Sequence, residues 1–219
     1  MRELNSIKAA VFDLDGTILD SSGIWDGLGE RFLVSRSITP EPGLSERLNL
    51  MTLPESCEYL RTEYHLPESP QHIRSELCGI IADFYRNECG LKPGAAELLT
   101  ELSRRGVTLS IATAGDRELS RAALERLGLL ELFSGIASCN EYGGKNHPEI
   151  FLKAASLAGG TPDNTAVFED SLHAVITARK AGFLTAAVMD MSEPQQVALR
   201  NTADYYCENL SCYLELFRG

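Results

Sequence analysis

Five short apolar runs rich in β-branched residues alternate along this chain with stretches of helical period, and no other feature restricts the fold as strongly. The runs are IKAAVFDL (7–14), VTLSIATA (107–114), GIAS (135–138), TAVFED (165–170) and LTAAVMD (184–190). Between and after them lie AAELLTELSRRG, RELSRAALERLG, PEIFLKAASLAG and SLHAVITARKAG, each closing on glycine, as helix C-termini often do. Strands that alternate with helices of about 10 to 15 residues predict a parallel sheet covered by helices on both faces. The expected class is therefore α/β, a Rossmann-like doubly wound parallel sheet, in which ligands bind beyond the carboxyl ends of the strands.

One segment breaks the rhythm. From Ser21 to Glu88 there is no strand-like run, only helical patterns such as IWDGLGERFLVS, PESCEYLRTEY and SPQHIRSELCGIIADFYRNE, punctuated by Pro40, Pro42, Pro54, Pro67 and Pro70. This reads as an all-helical cap over 21–88, inserted after the first strand into a core formed by 1–20 and 89–219. With 219 residues and 44% hydrophobic composition, the chain is long enough for one sizeable core and a smaller insert. A helical insert placed beside a strand end is suited to act as a lid.

Charge and residue usage narrow the partners. The formal net charge of -11, from 31 acidic against 20 basic residues, argues against nucleic acid or an anionic membrane surface, both of which favour Lys/Arg patches. No segment approaches the roughly 18 apolar residues of a membrane helix, and MRELNSIKAA lacks the apolar stretch of a signal peptide, so a cytoplasmic protein is expected; a monomer is the simplest expectation for its oligomeric state. Cys57, Cys78, Cys89, Cys139, Cys207 and Cys212 form no C-x-x-C pair and read as reduced packing residues. His65, His72, His147 and His173 show no zinc-ligand spacing.

Polar residues close four of the strand runs: Asp13 and Asp15 the first, Thr113 the second, Lys145 shortly after the third, Glu169 with Asp170 the fourth. Taken singly, each has an ordinary reading as a turn residue, a helix cap or a solvated lysine. Together they place hard oxygen ligands of the kind Mg²⁺ prefers at one sheet edge, beside a hydroxyl and an ammonium for an anion. That combination suits phosphoryl transfer, which needs an in-line nucleophile, positioning and charge neutralisation.

DLDGT, a strand-end Thr, a downstream Lys and a strand-end ED, in that order, resemble the haloacid dehalogenase superfamily. The likeness is to the branch holding β-phosphoglucomutase and small sugar-phosphate phosphatases, with a helical cap after the first motif. The resemblance implies Asp13 as the nucleophile that becomes an aspartyl-phosphate and Asp15 as general acid and base. It also implies Mg²⁺ held by Asp13, Asp170, the Asp15 carbonyl and Glu169, directly or through water. Thr113, Lys145 and the backbone N–H groups around Leu14 and Ala114 would hold the phosphate.

The chain departs from the pattern at Ala114, where many relatives carry Ser or Asn, and at Asn146-His147-Pro148 after the lysine. His147 thereby becomes a candidate for substrate contact. In the cap, Trp25 falls about where β-phosphoglucomutases usually carry a histidine, and Arg31, Arg47, Arg61 and Arg74 are further specificity candidates. The resemblance favours a Mg²⁺-dependent phosphatase of a small phosphorylated metabolite, a sugar or polyol phosphate. A β-phosphoglucomutase-like isomerase and a non-catalytic binding protein that keeps the fold are the alternatives.

Overall fold

A computed structural model describes residues 3–25, 27–48, 51–142 and 144–218. The chain falls into two compact units, Ser21–Cys89 and Met1–Asp20 with Gly90–Gly219. The first is all-helical, with α1 (Ser22–Trp25), α2 (Leu28–Ser35), α3 (Leu44–Leu48), α4 (Leu53–Glu63) and α5 (Pro70–Asn87). IWDGLGERFLVS, expected as one helix, is two, because Gly27 takes a non-helical conformation as the N-cap of α2. Leu28, Phe32, Leu33, Leu60, Ile73 and Leu77 turn inward to form this unit's core. Thr52 and Glu55 close the start of α4 with a reciprocal capping box, satisfying donors that the first turn would leave unpaired.

The second unit carries the sheet. Its strands are β1 (Ala9–Phe12), β2 (Leu19–Asp20), β3 (Gly90–Leu91), β4 (Thr108–Thr113), β5 (Phe133–Ser138), β6 (Thr165–Glu169), β7 (Leu184–Val188) and β8 (Tyr205–Cys207). Six of them form one sheet in the order β5-β4-β1-β6-β7-β8, every pairing parallel. The flanking helices are α6 (Ala95–Arg104), α7 (Arg117–Arg126), α8 (Cys139–Tyr142), α9 (Glu149–Leu157), α10 (Leu172–Lys180), α11 (Gln196–Thr202) and α12 (Leu210–Arg218). With helices on both faces, β1, β6 and β7 are buried at every position, which is why they read as unbroken apolar runs rather than alternating ones.

β1 lies at the centre, with Phe12 level with Ile111 of β4 and Phe168 of β6. The Phe12 and Phe168 rings stack with centroids 4.3 Å apart, and Tyr213 of α12 meets Phe168 edge-on at 5.3 Å. The chain first builds outward from β1 to β4 and β5, then returns to set β6 on the other side of β1. That reversal opens a crevice at the carboxyl ends of β1, β4 and β6, the place where open α/β sheets bind ligands. β2 and β3 pair antiparallel, Leu19 opposite Leu91 and Asp20 opposite Gly90, so the chain leaves and re-enters this unit on adjacent strands. Among the described residues no helix is long and apolar enough to cross a membrane.

Candidate active site

The DLDGT turn is built around one glycine. Gly16 sits at φ +81°, in the left-handed region that favours glycine. Its N–H donates to the Leu19 carbonyl at 3.0 Å. A Cβ here would lie 2.3 Å from Asp170 Oδ2, so any side chain would collide with the carboxyl facing it. The turn brings Asp13, directly after β1, and Thr17 into one buried patch, 4% and 0% exposed.

Asp13, Glu169 and Asp170 present carboxylate oxygens within 4.8 Å of one another. Lys145, reaching in from the loop after α8, is 8% exposed and ion-pairs with Asp13 and, at 2.5 Å, with Glu169. The other Glu169 oxygen accepts from the backbone N–H groups of Asp170 and Ser171 at 3.0 and 3.1 Å and from the Ser171 hydroxyl at 3.0 Å. Glu169 thus orients the lysine and shapes the turn into α10 with both of its oxygens. The Thr17 hydroxyl lies 3.5 Å from Asp13 Oδ2 and 3.4 Å from Asp170 Oδ1.

The electrostatics of the patch are unbalanced. Burial pushes the Asp13 carboxyl up to about 7, with Lys145 opposing the rise and Glu169 and Asp15 adding to it. Burial likewise drives Asp170 well above the carboxylate range, reinforced by Glu169 and Asp13. For Glu169 the burial penalty is overcome by Lys145 and the Ser171 hydrogen bonds, and its carboxyl falls below the ordinary value. Burial would lower the lysine, yet Asp13 and Glu169 outweigh it and keep the ammonium charged. Three carboxylates thus share one cation, and Asp13 and Asp170 carry the excess. A hard divalent cation fits that donor set by charge and by ligand type.

The opposite wall comes from β4. Thr113 is fully buried at the strand end, and its hydroxyl oxygen accepts the Gly115 N–H at 2.9 Å, leaving its own O–H to donate. A Cβ at Gly115 would lie 3.2 Å from that oxygen and 3.3 Å from Asp15 Oδ2, which places the Asp15 carboxyl beside the Thr113 to Gly115 loop. Ala114 is exposed in that loop. Ser138, ending β5, donates to the Gly115 carbonyl at 2.9 Å, and Asp116 caps α7 through the N–H groups of Glu118 and Leu119. The loop is therefore braced at both ends.

Asp13, Asp15, Thr113, Lys145, Glu169 and Asp170, anticipated from the sequence, thus gather at one edge of the sheet. His147, two residues past Lys145, is exposed, with its backbone N–H on the Gly144 carbonyl. In the helical unit the Trp25 side chain lies outside the described residues. Arg31 pairs with Glu88 at 2.9 Å, Arg61 with Glu58 at 2.5 Å, and Arg47 with Tyr59 and, at 3.9 Å, with Glu41. Those arginines are held by neighbours on their own unit, the solvated helix-face behaviour typical of the residue type.

Sequence reading missed Thr17, Asp190 and Lys92. Asp190, 4% exposed, lies two residues past β7, and Lys92 pairs with it at 2.5 Å. LTAAVMD had the right form, an apolar run closing on Asp. Its partner lies 98 residues away, where spacing carries no signal.

Comparison with known proteins agrees with the family and the fold. The family model described as haloacid dehalogenase-like hydrolase matches residues 7–182. Validoxylamine A 7'-phosphate phosphatase of Streptomyces hygroscopicus subsp. limoneus is 27% identical over 206 residues, covering 87% of this chain and 90% of the relative. Hexitol phosphatase B of Escherichia coli K12 is 26% identical, covering 86% of each chain. A solved Thermotoga maritima structure, provisionally identified as a β-phosphoglucomutase, shares the fold at a TM-score of 0.84 and 22% identity, over 95% of this chain and 99% of that one.

Proposed function

This chain belongs to the haloacid dehalogenase-like hydrolase family, and from that premise we propose that it is a Mg²⁺-dependent phosphatase of a small phosphorylated metabolite, a sugar or polyol phosphate. The observation that carries the reading is the buried group of Asp13, Glu169 and Asp170 around the single ammonium of Lys145. The names of the two phosphatase relatives support the substrate class.

Asp13 and Asp170, the carboxylates whose ionised form burial leaves least compensated, would hold the ion with the Asp15 carbonyl, and Glu169 contributes by fixing Lys145. Bound there, Mg²⁺ supplies charge neutralisation for the phosphoryl group and for the Asp13 carboxylate. A carboxylate oxygen of Asp13 attacks phosphorus in line, the bond to the substrate oxygen breaks, and Asp15 protonates the departing alkoxide. Asp15, now a carboxylate beside the Thr113 to Gly115 loop, takes a proton from the water that attacks phosphorus and returns Asp13. Lys145, the Thr113 hydroxyl and the N–H groups of the braced loop balance charge on the transferred oxygens.

The experiment is phosphate release from a panel of hexose, pentose and polyol phosphates and an aryl phosphate, with Mg²⁺ and with chelator. Turnover that needs Mg²⁺ and disappears in Asp13→Asn is the expected result. No release across the panel, or an active Asp13→Asn protein, would overturn the reading. Transfer to a second sugar hydroxyl faster than to water would make the enzyme a mutase instead.

A further inference from the structure

The Lys92 and Asp190 pair stands behind the cation site with no part in the steps above. Both Asp190 oxygens are engaged: Oδ2 by the Lys92 ammonium at 2.5 Å, Oδ1 by the Ser192 N–H at 2.9 Å and the Ser192 hydroxyl at 2.6 Å. The Asp190 carbonyl accepts from the Gln196 side chain. Burial alone would raise this carboxyl, but the Lys92 and Ser192 hydrogen bonds prevail and hold it ionised below its ordinary value. It is a fixed, buried negative charge.

Its position gives that charge a use. A Cβ at Gly16 would lie 2.3 Å from Asp170 Oδ2 and 3.4 Å from Asp190 Cγ, so the two carboxyls face the same glycine. Lys92 joins two parts of the unit. Its N–H donates to the Ile18 carbonyl at 2.8 Å, just past the DLDGT turn, and its ammonium to the Met189 carbonyl at 3.2 Å as well as to Asp190. Asp190 so fixed faces the same glycine as Asp170, with Lys92 bonded to it, and neither belongs to the proposed phosphate contacts.

We propose that Asp190 and Lys92 are positioning residues of opposite sign that set the divalent-cation affinity of the Asp13 and Asp170 site through the Gly16 turn. This rests on the reading of that site as a cation site. Asp190 strengthens the attraction for the ion, and Lys92 limits it while holding Asp190 in place. A tuned affinity matters to a hydrolase that must release its anionic product, because an ion held too strongly also holds phosphate.

The test is Mn²⁺ binding followed by electron paramagnetic resonance, without substrate, alongside thermal unfolding. Asp190→Asn should raise the Kd about tenfold, the scale of one unit charge at intermediate dielectric. Lys92→Met should lower it, Lys92→Arg should leave it unchanged, and Lys92→Met with Asp190→Asn should return within about twofold of wild type. A latch with no electrostatic role predicts weaker binding in all the charge-removing variants, and that pattern would overturn the inference, as would a Kd unchanged in both single variants. Should Lys92→Met not fold, Lys92→Gln gives the same sign. Asp170→Asn separates the two readings. If wild type binds no Mn²⁺, the cation site itself falls and this inference with it; if wild type binds and Asp170→Asn does not while Asp190→Asn is unchanged, this inference alone fails.

Discussion

Asp13 and Asp15 lie two residues apart in different surroundings, and the proposed mechanism gives them different work. Asp13 is buried against Lys145, Glu169 and Asp170, while Asp15 is half-buried and faces the Thr113 to Gly115 loop. A proton-transfer role for Asp15 makes a kinetic prediction. Asp15→Asn should cut turnover of a sugar phosphate by roughly 10² to 10⁴, the usual contribution of a positioned acid or base. With an aryl phosphate, whose leaving group needs no proton, the first step should survive and dephosphorylation should lag. Stopped-flow mixing should then show a burst of phenol near one per enzyme before slow steady release, and a linear trace would count against the assignment. The cysteines are decided at this scale too. Burial and neighbouring Cys212 push the Cys207 thiol up to about 12, whereas Cys78 is exposed. Because the thiolate is the nucleophile, iodoacetamide at pH 8 should label Cys78 and leave Cys207 unmodified in the native protein, as read by peptide mass spectrometry.

At the scale of elements, site and sheet are one construction. The Asp13 N–H donates to the Phe168 carbonyl at 2.9 Å, continuing the β1 to β6 ladder into the catalytic edge, and the stacked Phe12 and Phe168 rings fill the space beneath it. Phe168→Ala should therefore cost about 3–5 kcal/mol, as large aromatic deletions in cores do, and should weaken Mn²⁺ binding as well, although Phe168 carries no ligand atom. Denaturant titration and the resonance assay would check the two effects. The same construction explains what could be read in advance. Strands buried on both faces need continuous apolar residues, so β1, β4, β6 and β7 were visible as runs, and Asp13, Thr113, Glu169 and Asp170 as the polar residues that end them. β8 was not, because three residues at a sheet edge, two of them half-buried, have no period to detect. β2 and β3 are two residues each and exist only through their mutual pairing. The break between α1 and α2 hung on the backbone of Gly27, which a helical pattern does not report. Asp190 ends an apolar run, but its partner Lys92 lies 98 residues away, beyond the reach of any sequence spacing.

For the whole molecule, folding sets the affinity of this site for protons, and protons compete with the cation. In the metal-free protein Asp13 titrates at about 7 against 3.8 for a free aspartate, so the folded state binds its proton more strongly than the unfolded chain does. A group raised in this way contributes stability that is fully present below pH 3.8 and is lost as the pH climbs through about 7, by linkage. Asp170, raised from the same ordinary value, acts in the same direction. The metal-free protein therefore carries a growing cost at this site across the neutral range, which a bound cation removes by favouring the ionised carboxylates. Because ligand binding to the native state adds stability as RT ln(1 + [L]/Kd), the rise in Tm caused by a fixed Mg²⁺ concentration should be small at pH 5.5 and larger at pH 8. Both values lie above the sequence pI of about 4.9, which keeps the protein clear of charge-neutral precipitation. Differential scanning fluorimetry with Mg²⁺ and with chelator at those two pH values measures the difference directly. In Asp13→Asn, which has no carboxyl to titrate there, the pH dependence of the Mg²⁺ increment should flatten. An increment equal at both pH values in the wild type would mean that the cation does not compete with these protons, and would place any Mg²⁺ binding away from Asp13 and Asp170.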